Sequence, residues 1–170
     1  HVAAPLFLVF EDNDEAAFSA FSAVMAHIAP FFTTVGLNKA VGDFLMLFKR
    51  TLPDVYDVFV DVDFNVQLWA PSALRSLLLR QLPDQCALRL LDSYFSRDSD
   101  DIPAFHIHVC VAVLGVMHER DEFNDIEPEA LLPRLTNLPS SLPMETILNR
   151  ATTYQQEREA EGYIPTFHKH

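Results

Sequence analysis

The alternation of apolar and polar positions divides the chain into helical runs. The first ten residues, HVAAPLFLVF, are apolar almost throughout and carry no capping residue. That is the pattern of the inside of a buried element, and it predicts that the element begins upstream of His1. Asp12 followed by Glu15 forms a capping-box pattern, and Phe18, Phe21, Met25 and Ile28 follow at helical spacing, which predicts a helix over about 13–28. Leu37, Val41, Phe44, Leu45, Phe48 and Leu52 then mark one apolar stripe and the clearest amphipathic helix.

Prolines punctuate the rest. Pro53, Pro71, Pro83, Pro103, Pro128 and Pro143 each precede a helix-like run, as expected from the tolerance for proline in a helix's first turn. Between Ala104 and Met117 the sequence AFHIHVCVAVLGVM is apolar around nearly its whole circumference. It predicts a central buried helix, with a buried strand as the alternative because of its valines. Glu119 to Glu129 carries six acids and one arginine and reads as a solvated connection. Helical spacing resumes from Ser141 to Tyr154 through Ile147, Leu148 and Ala151, and the residues after Gly162 read as a tail. Strand signals are weak everywhere and no repeat of fixed period occurs, so the predicted class is all-α with about eight helices.

Charge and composition narrow the function classes. Apolar residues make up 49% of the 170 and charged residues 21%, the composition of a packed globular domain. Lys plus Arg number 12 against 24 Asp plus Glu, a net charge of −12. Such a field repels phosphate backbones and anionic lipid, so no nucleic acid partner and no direct membrane insertion are expected. The glycines, Gly36, Gly42, Gly115 and Gly162, are too far apart for a phosphate-cradling loop. Cys86 and Cys110 form no C-x-x-C pair or disulfide framework, which suits a reducing, cytoplasmic compartment. No apolar run of 18 residues suggests a membrane span, and no basic leader precedes an apolar stretch.

Candidate chemistry is sparse. His106 and His108 would share a face on a strand, but on a helix they lie about 200° apart and cannot reach one ion. His106 and Cys110 do share a helical face, yet two ligands make no zinc site, so no metal and no cofactor are assigned. Asp61, Asp63 and Asn65 imitate the opening of a calcium loop, but Val66 stands where glycine is needed and Ser72 where a bidentate glutamate is needed. No serine sits in a nucleophile elbow. The acidic stretch through Asp121, Glu122, Asp125, Glu127 and Glu129 could recruit a basic partner, although charge runs are usually solvated faces. No catalytic, cofactor-binding or metal residue is therefore named.

Several segments, in order, resemble the C-terminal half of the TBC domain, the all-helical module of Rab GTPase-activating proteins. Ala3 to Met25 is similar to a family helix pair in which an acidic turn precedes a Phe-rich helix. LPDVYDVF, Leu52 to Phe59, is similar to a Pro-x-Leu-Tyr-x-His segment. Trp69, the LLLRQLP run from Leu77 to Pro83 and ALRLLDSYFS from Ala87 to Ser96 resemble the order tryptophan, helix, proline, Arg-x-Trp-Asp, with Leu91 where tryptophan is usual. HVCVAVL, His108 to Leu114, and LLPRLTNLP, Leu131 to Pro139, match the two segments that follow.

The resemblance implies an arginine finger and a glutamine finger offered in trans to Rab-bound GTP. No I-x-x-D-x-x-R motif for the arginine occurs, and the one Y-x-Q, Tyr154-Gln155-Gln156, falls near the wrong end and reads as a coincidence on a helix face. By the family's order His1 falls just after the glutamine finger. The expectation is a C-terminal TBC-type lobe over residues 1–160, with 161–170 a tail, supplying scaffold and docking surface for a Rab-family small GTPase or for an N-terminal lobe. Such a module would be cytoplasmic, at the periphery of endomembranes or the cytoskeleton, and linked to vesicle trafficking. As this fragment alone it is at most an inactive part of a GTPase activator. Two rivals are a TBC-derived module that has lost catalysis and serves as a structural or adaptor piece with other proteins of an assembly, and an unrelated all-α interaction domain. A lobe cut from its partner should leave Leu6, Phe7, Val9 and Phe10 uncovered.

Overall fold

The computed structural model describes residues 2–11, 13–98, 101–124 and 126–162. Among them are nine α-helices and no strand: α1 Ala3–Val9, α2 Asp14–Ile28, α3 Thr34–Thr51, α4 Pro53–Asp61, α5 Ala70–Ser76, α6 Asp84–Phe95, α7 Ile102–Glu119, α8 Pro128–Thr136 and α9 Met144–Ala160. Short 3₁₀ turns at Ala29–Phe32 and Val66–Leu68 complete them. The all-α expectation holds.

Helix starts follow local chemistry. Asn13 caps α2, its side chain accepting from the Ala16 amide at 3.0 Å; Asp12, expected in that role, lies outside the described residues. Thr33 caps α3 by accepting from the Gly36 amide, and its hydroxyl donates to the Pro30 carbonyl, each at 3.0 Å. Gly36 is required there, because a Cβ would run into that Pro30 carbonyl. Proline occupies the first turn of α4, α5, α7 and α8 and the N-cap of α6 and α9, where a missing N–H costs nothing. Helix α3 stops at Leu52 because the residue before Pro53 is sterically driven out of the helical region.

The core is organised around α7, every residue of which from Ile102 to Met117 is buried; the strand alternative is excluded. It packs against α9 and α3 most extensively, and against α2, α4 and α5. The buried face of α3 is Leu37, Ala40, Phe44, Leu47 and Phe48, so the expected stripe is rotated slightly. Val41, Leu45 and Leu52 sit at its half-buried edge. Edge-to-face aromatic pairs run Phe44–Trp69 (5.9 Å), Phe48–Phe59 (5.5 Å) and Phe59–Phe123 (5.2 Å), a geometry favoured by the ring quadrupole.

The stretch 119–129 links α7 to α8 with Glu119, Asp121, Glu127 and Glu129 exposed, as a solvated connection should, but Phe123 anchors it. This ring is buried in the core, and its neighbours are tied down: Glu119 pairs with Arg150 at 2.8 Å and Glu122 with Arg134 at 2.8 Å. One apolar anchor thus holds an otherwise solvated acidic stretch against the core. Asp125 lies outside the described residues. The last helix begins at Met144, not Ser141, and continues to Ala160. Glu161 and Gly162 form a turn, and the rest of the expected tail lies outside the described residues.

Candidate functional surface

Helix α1 is half in and half out of the core. Packed on α2 and α6, it buries Pro5 and Leu6, while Phe7, Leu8 and Val9 are 47%, 56% and 58% exposed. On α2 Phe18 is 65% exposed. Phe7 and Val9 thus stand uncovered as expected. Leu6 does not: it is buried within this chain because it lies on the α1 face turned inward, and Phe10 is half-buried. The apolar opening sequence therefore describes a helix with one face in the core and one outside it. Two helical stretches, Asp14–Phe32 and Ile102–Glu119, reach the length and apolarity of a bilayer span, against the expectation of none. The second is the core helix α7, whose hydropathy its burial explains.

Between α1, α2 and the Ala29–Phe32 turn on one side and α5 on the other lies a cleft of about 630 Å³, with Phe21, Met25, Phe32 and Leu68 among its walls. Arg75 and Arg80 line it as well. The Arg75 guanidinium is steadied by its Nε donating to the Phe31 carbonyl at 3.2 Å. Sequence reasoning passed over both arginines because nothing in local spacing brings them to the α2 side of the molecule.

The histidines belong to the interior. The Tyr94 hydroxyl donates to His106 Nδ1 at 2.5 Å, and His106 Nε2 donates to the Ala73 carbonyl at 3.1 Å, with Cys110 Sγ 3.5 Å away. Burial lowers the His106 pKa to about 4 against the partial compensation of the Ala73 bond, and raises those of Cys110 and Tyr94. His108 Nδ1 donates to the Ala104 carbonyl at 2.8 Å; burial brings its pKa to about 4 too. The two rings answer to different neighbours, as the helical angle between them requires. Among the described residues no three His, Cys, Asp or Glu side chains gather as a metal site. Asp61 ends α4, Asp63 takes a left-handed conformation (φ 52°), and Asn65 caps the Val66–Leu68 turn by accepting from Gln67 N at 3.0 Å. These are structural tasks of a tight loop.

In the Y-x-Q sequence the motif's glutamine, Gln156, is exposed on a face of α9 as expected, while the intervening Gln155 is buried. The Gln155 amide donates to Asp101 at 2.7 Å and to Glu159 at 3.0 Å, and its carbonyl accepts from Arg97 at 3.3 Å. Arg97 also bonds Thr152 at 2.9 Å and stacks on Phe105, 3.4 Å from the ring centroid. The network ties α9 to the α6–α7 connection. Trp69 is fully buried and its indole N–H donates to the Leu135 carbonyl at 3.0 Å. Leu91 is buried on α6, and neighbouring Arg89 pairs with Glu145 of α9 at 2.5 Å.

Comparison with known proteins agrees with this layout. Residues 1–122 match the Rab-GTPase-TBC domain family. TBC1 domain family member 22B of Homo sapiens is 29% identical over 109 residues, which is 64% of this chain and 21% of that protein. TBC1 domain family member 22A of Mus musculus is 37% identical over 68 residues, 40% of this chain and 13% of that relative. The matches thus span at most about a fifth of the length of these relatives. Most of the chain's helices, from α1 through the whole of α7, fall within the family match, and the chain belongs to the Rab-GTPase-TBC domain family.

Proposed function

We propose that residues 1–160 form the C-terminal lobe of a Rab GTPase-activating domain. The lobe supplies helical scaffold and docking surface for a Rab-family GTPase and leaves the arginine and glutamine fingers to an N-terminal lobe. The observation that carries this reading is the exposed apolar face of α1 and α2, with Phe7, Leu8, Val9 and Phe18 in solvent at the start of a family match that extends to residue 122. Apolar side chains gathered on two packed helices mark a surface that another body covers. Lacking the I-x-x-D-x-x-R motif, the lobe alone has no arginine finger, a device worth about a thousandfold or more in rate. Cytoplasmic residence is part of the same proposal and is supported by the two buried, unpaired thiols.

The test is binding of a panel of GTP-loaded Rab proteins to the immobilised chain, with Phe7→Ser/Phe18→Ser as the comparison. Binding by at least one Rab supports the docking role, and loss of that binding in the double variant locates it on the α1–α2 face. Binding of none moves the assignment to an adaptor module without GTPase contact, a reading that Leu91 in place of the family's tryptophan favours.

A further inference from the structure

The cleft between α2 and α5 carries a charge that the rest of the molecule does not explain. Acids outnumber bases 24 to 12 in this chain, so carboxylates are plentiful. Arg50, Arg89, Arg97, Arg134 and Arg150 all hold one. Among the described residues Arg120, bonded to Ser141, and Arg75 and Arg80 hold none, and of these Arg75 and Arg80 both line this cleft, whose walls contain no acid. Both are exposed.

Their placement comes from an unusual turn. Leu77 and Leu78, directly after α5, both adopt left-handed backbone conformations (φ 53° and 60°), which a γ-branched side chain takes only under constraint from its surroundings. Both leucines are fully buried. The turn is latched by Ser76 Oγ donating to Gln81 Oε1 at 2.9 Å, Gln81 Nε2 donating to Ser72 Oγ at 3.4 Å, and the Leu138 amide donating to the Gln81 carbonyl at 2.9 Å. The reversal keeps Arg80 on the cleft that Arg75 already lines. Backbone held in such sparsely populated conformations clusters at ligand clamps and other functional sites.

We infer that this cleft receives an amphipathic helix of a partner protein, its apolar face seated on Phe21, Met25, Phe32 and Leu68 and its acidic edge on Arg75 and Arg80. A helix face laid in a groove would reach such an apolar wall through anchors at i, i+4 and i+7. Charge complementarity sets the orientation. On a chain of net charge −12, two arginines without a carboxylate attract an acidic edge at this cleft, while the excess of acids disfavours it over much of the rest of the chain. The inference stands apart from the GTPase reading, since it rests on the cleft alone.

The experiment uses two synthetic 18-residue helical peptides with identical Leu and Phe anchors, one edged with Glu and one with Lys, titrated into the chain with methionine methyl groups labelled for NMR. Expected is binding of the Glu-edged peptide with shifts at Met25 and none at Met46, and at least tenfold weaker binding of the Lys-edged twin. Arg80→Glu should reverse that preference, and Leu68→Asp should abolish binding of the Glu-edged peptide, both with unchanged melting temperature. Equal binding of the two peptides, shifts centred on Met46, or no binding at millimolar concentration would overturn the inference. So would a Met25 response to phosphatidylserine vesicles without a response to either peptide.

Discussion

His106 is held neutral from three sides, by the Tyr94 hydroxyl at Nδ1, the Ala73 carbonyl at Nε2 and the Cys110 thiol beyond it. His108, one step along α7, has Ala104 as its bond partner and lies in the field of Arg158, Asp101 and Arg97. Both have folded-state pKa values of about 4, below the ordinary value near 6.5 of an unfolded histidine. In this situation the unfolded chain takes up protons first. The stabilisation is therefore complete above about pH 6.5 and is lost as pH falls through about 4. At about 1.4 kcal/mol per unit, each ring accounts for up to about 3 kcal/mol of that loss. Urea midpoints taken at pH 7.5, 6, 5 and 4.5 should fall steadily, and His108→Phe should flatten part of the fall; a level profile would show that neither ring is buried as described. Tyr94→Phe deletes the donor to a buried nitrogen and should cost about 1–3 kcal/mol in the same assay at pH 7.5.

At the scale of elements, the junction between the Ala29–Phe32 turn and α3 is the tightest constraint. Gly36→Ala would normally gain helix propensity. Here the added methyl meets the Pro30 carbonyl and the Thr33 hydroxyl that caps the helix, so a net loss of about 1–3 kcal/mol is expected. Thermal unfolding checks the sign. The helices themselves were legible in the sequence because proline and apolar periodicity are local signals. Pro53, Pro71, Pro103 and Pro128 sit in first turns as read, and α7 is buried all round as its composition demanded. What local pattern misses is decided by packing at a distance. Phe123 is pulled out of an acidic stretch by Phe59, and Gln155 is drawn inward by Arg97 and Asp101. Leu77 and Leu78 are forced into left-handed turns that their sequence gives no reason to expect. For the same reason the arginine-lined cleft was invisible, since its two walls come from segments some fifty residues apart.

For the whole molecule, a closed core around α7 lies under a surface whose exposed apolar side chains include Val35, Met46, Val60 and Phe95 as well as those of α1 and α2. The helices around α7 leave few polar atoms unsatisfied, while α1 and α2 present phenylalanines to solvent. Phe7→Ser/Phe18→Ser should lower stability by no more than about 1–2 kcal/mol, the part-burial of Phe7 accounting for most of it. The central claim is that this lobe engages a Rab GTPase without supplying the groups that lower the hydrolysis barrier. Its most direct test is single-turnover hydrolysis of Rab-bound GTP at saturating concentrations of the chain, for each Rab that binds it. The account predicts the intrinsic rate within a factor of about two, against the thousandfold or greater gain that an arginine finger gives. A hundredfold acceleration by the chain alone would contradict it by placing catalytic groups within these 170 residues.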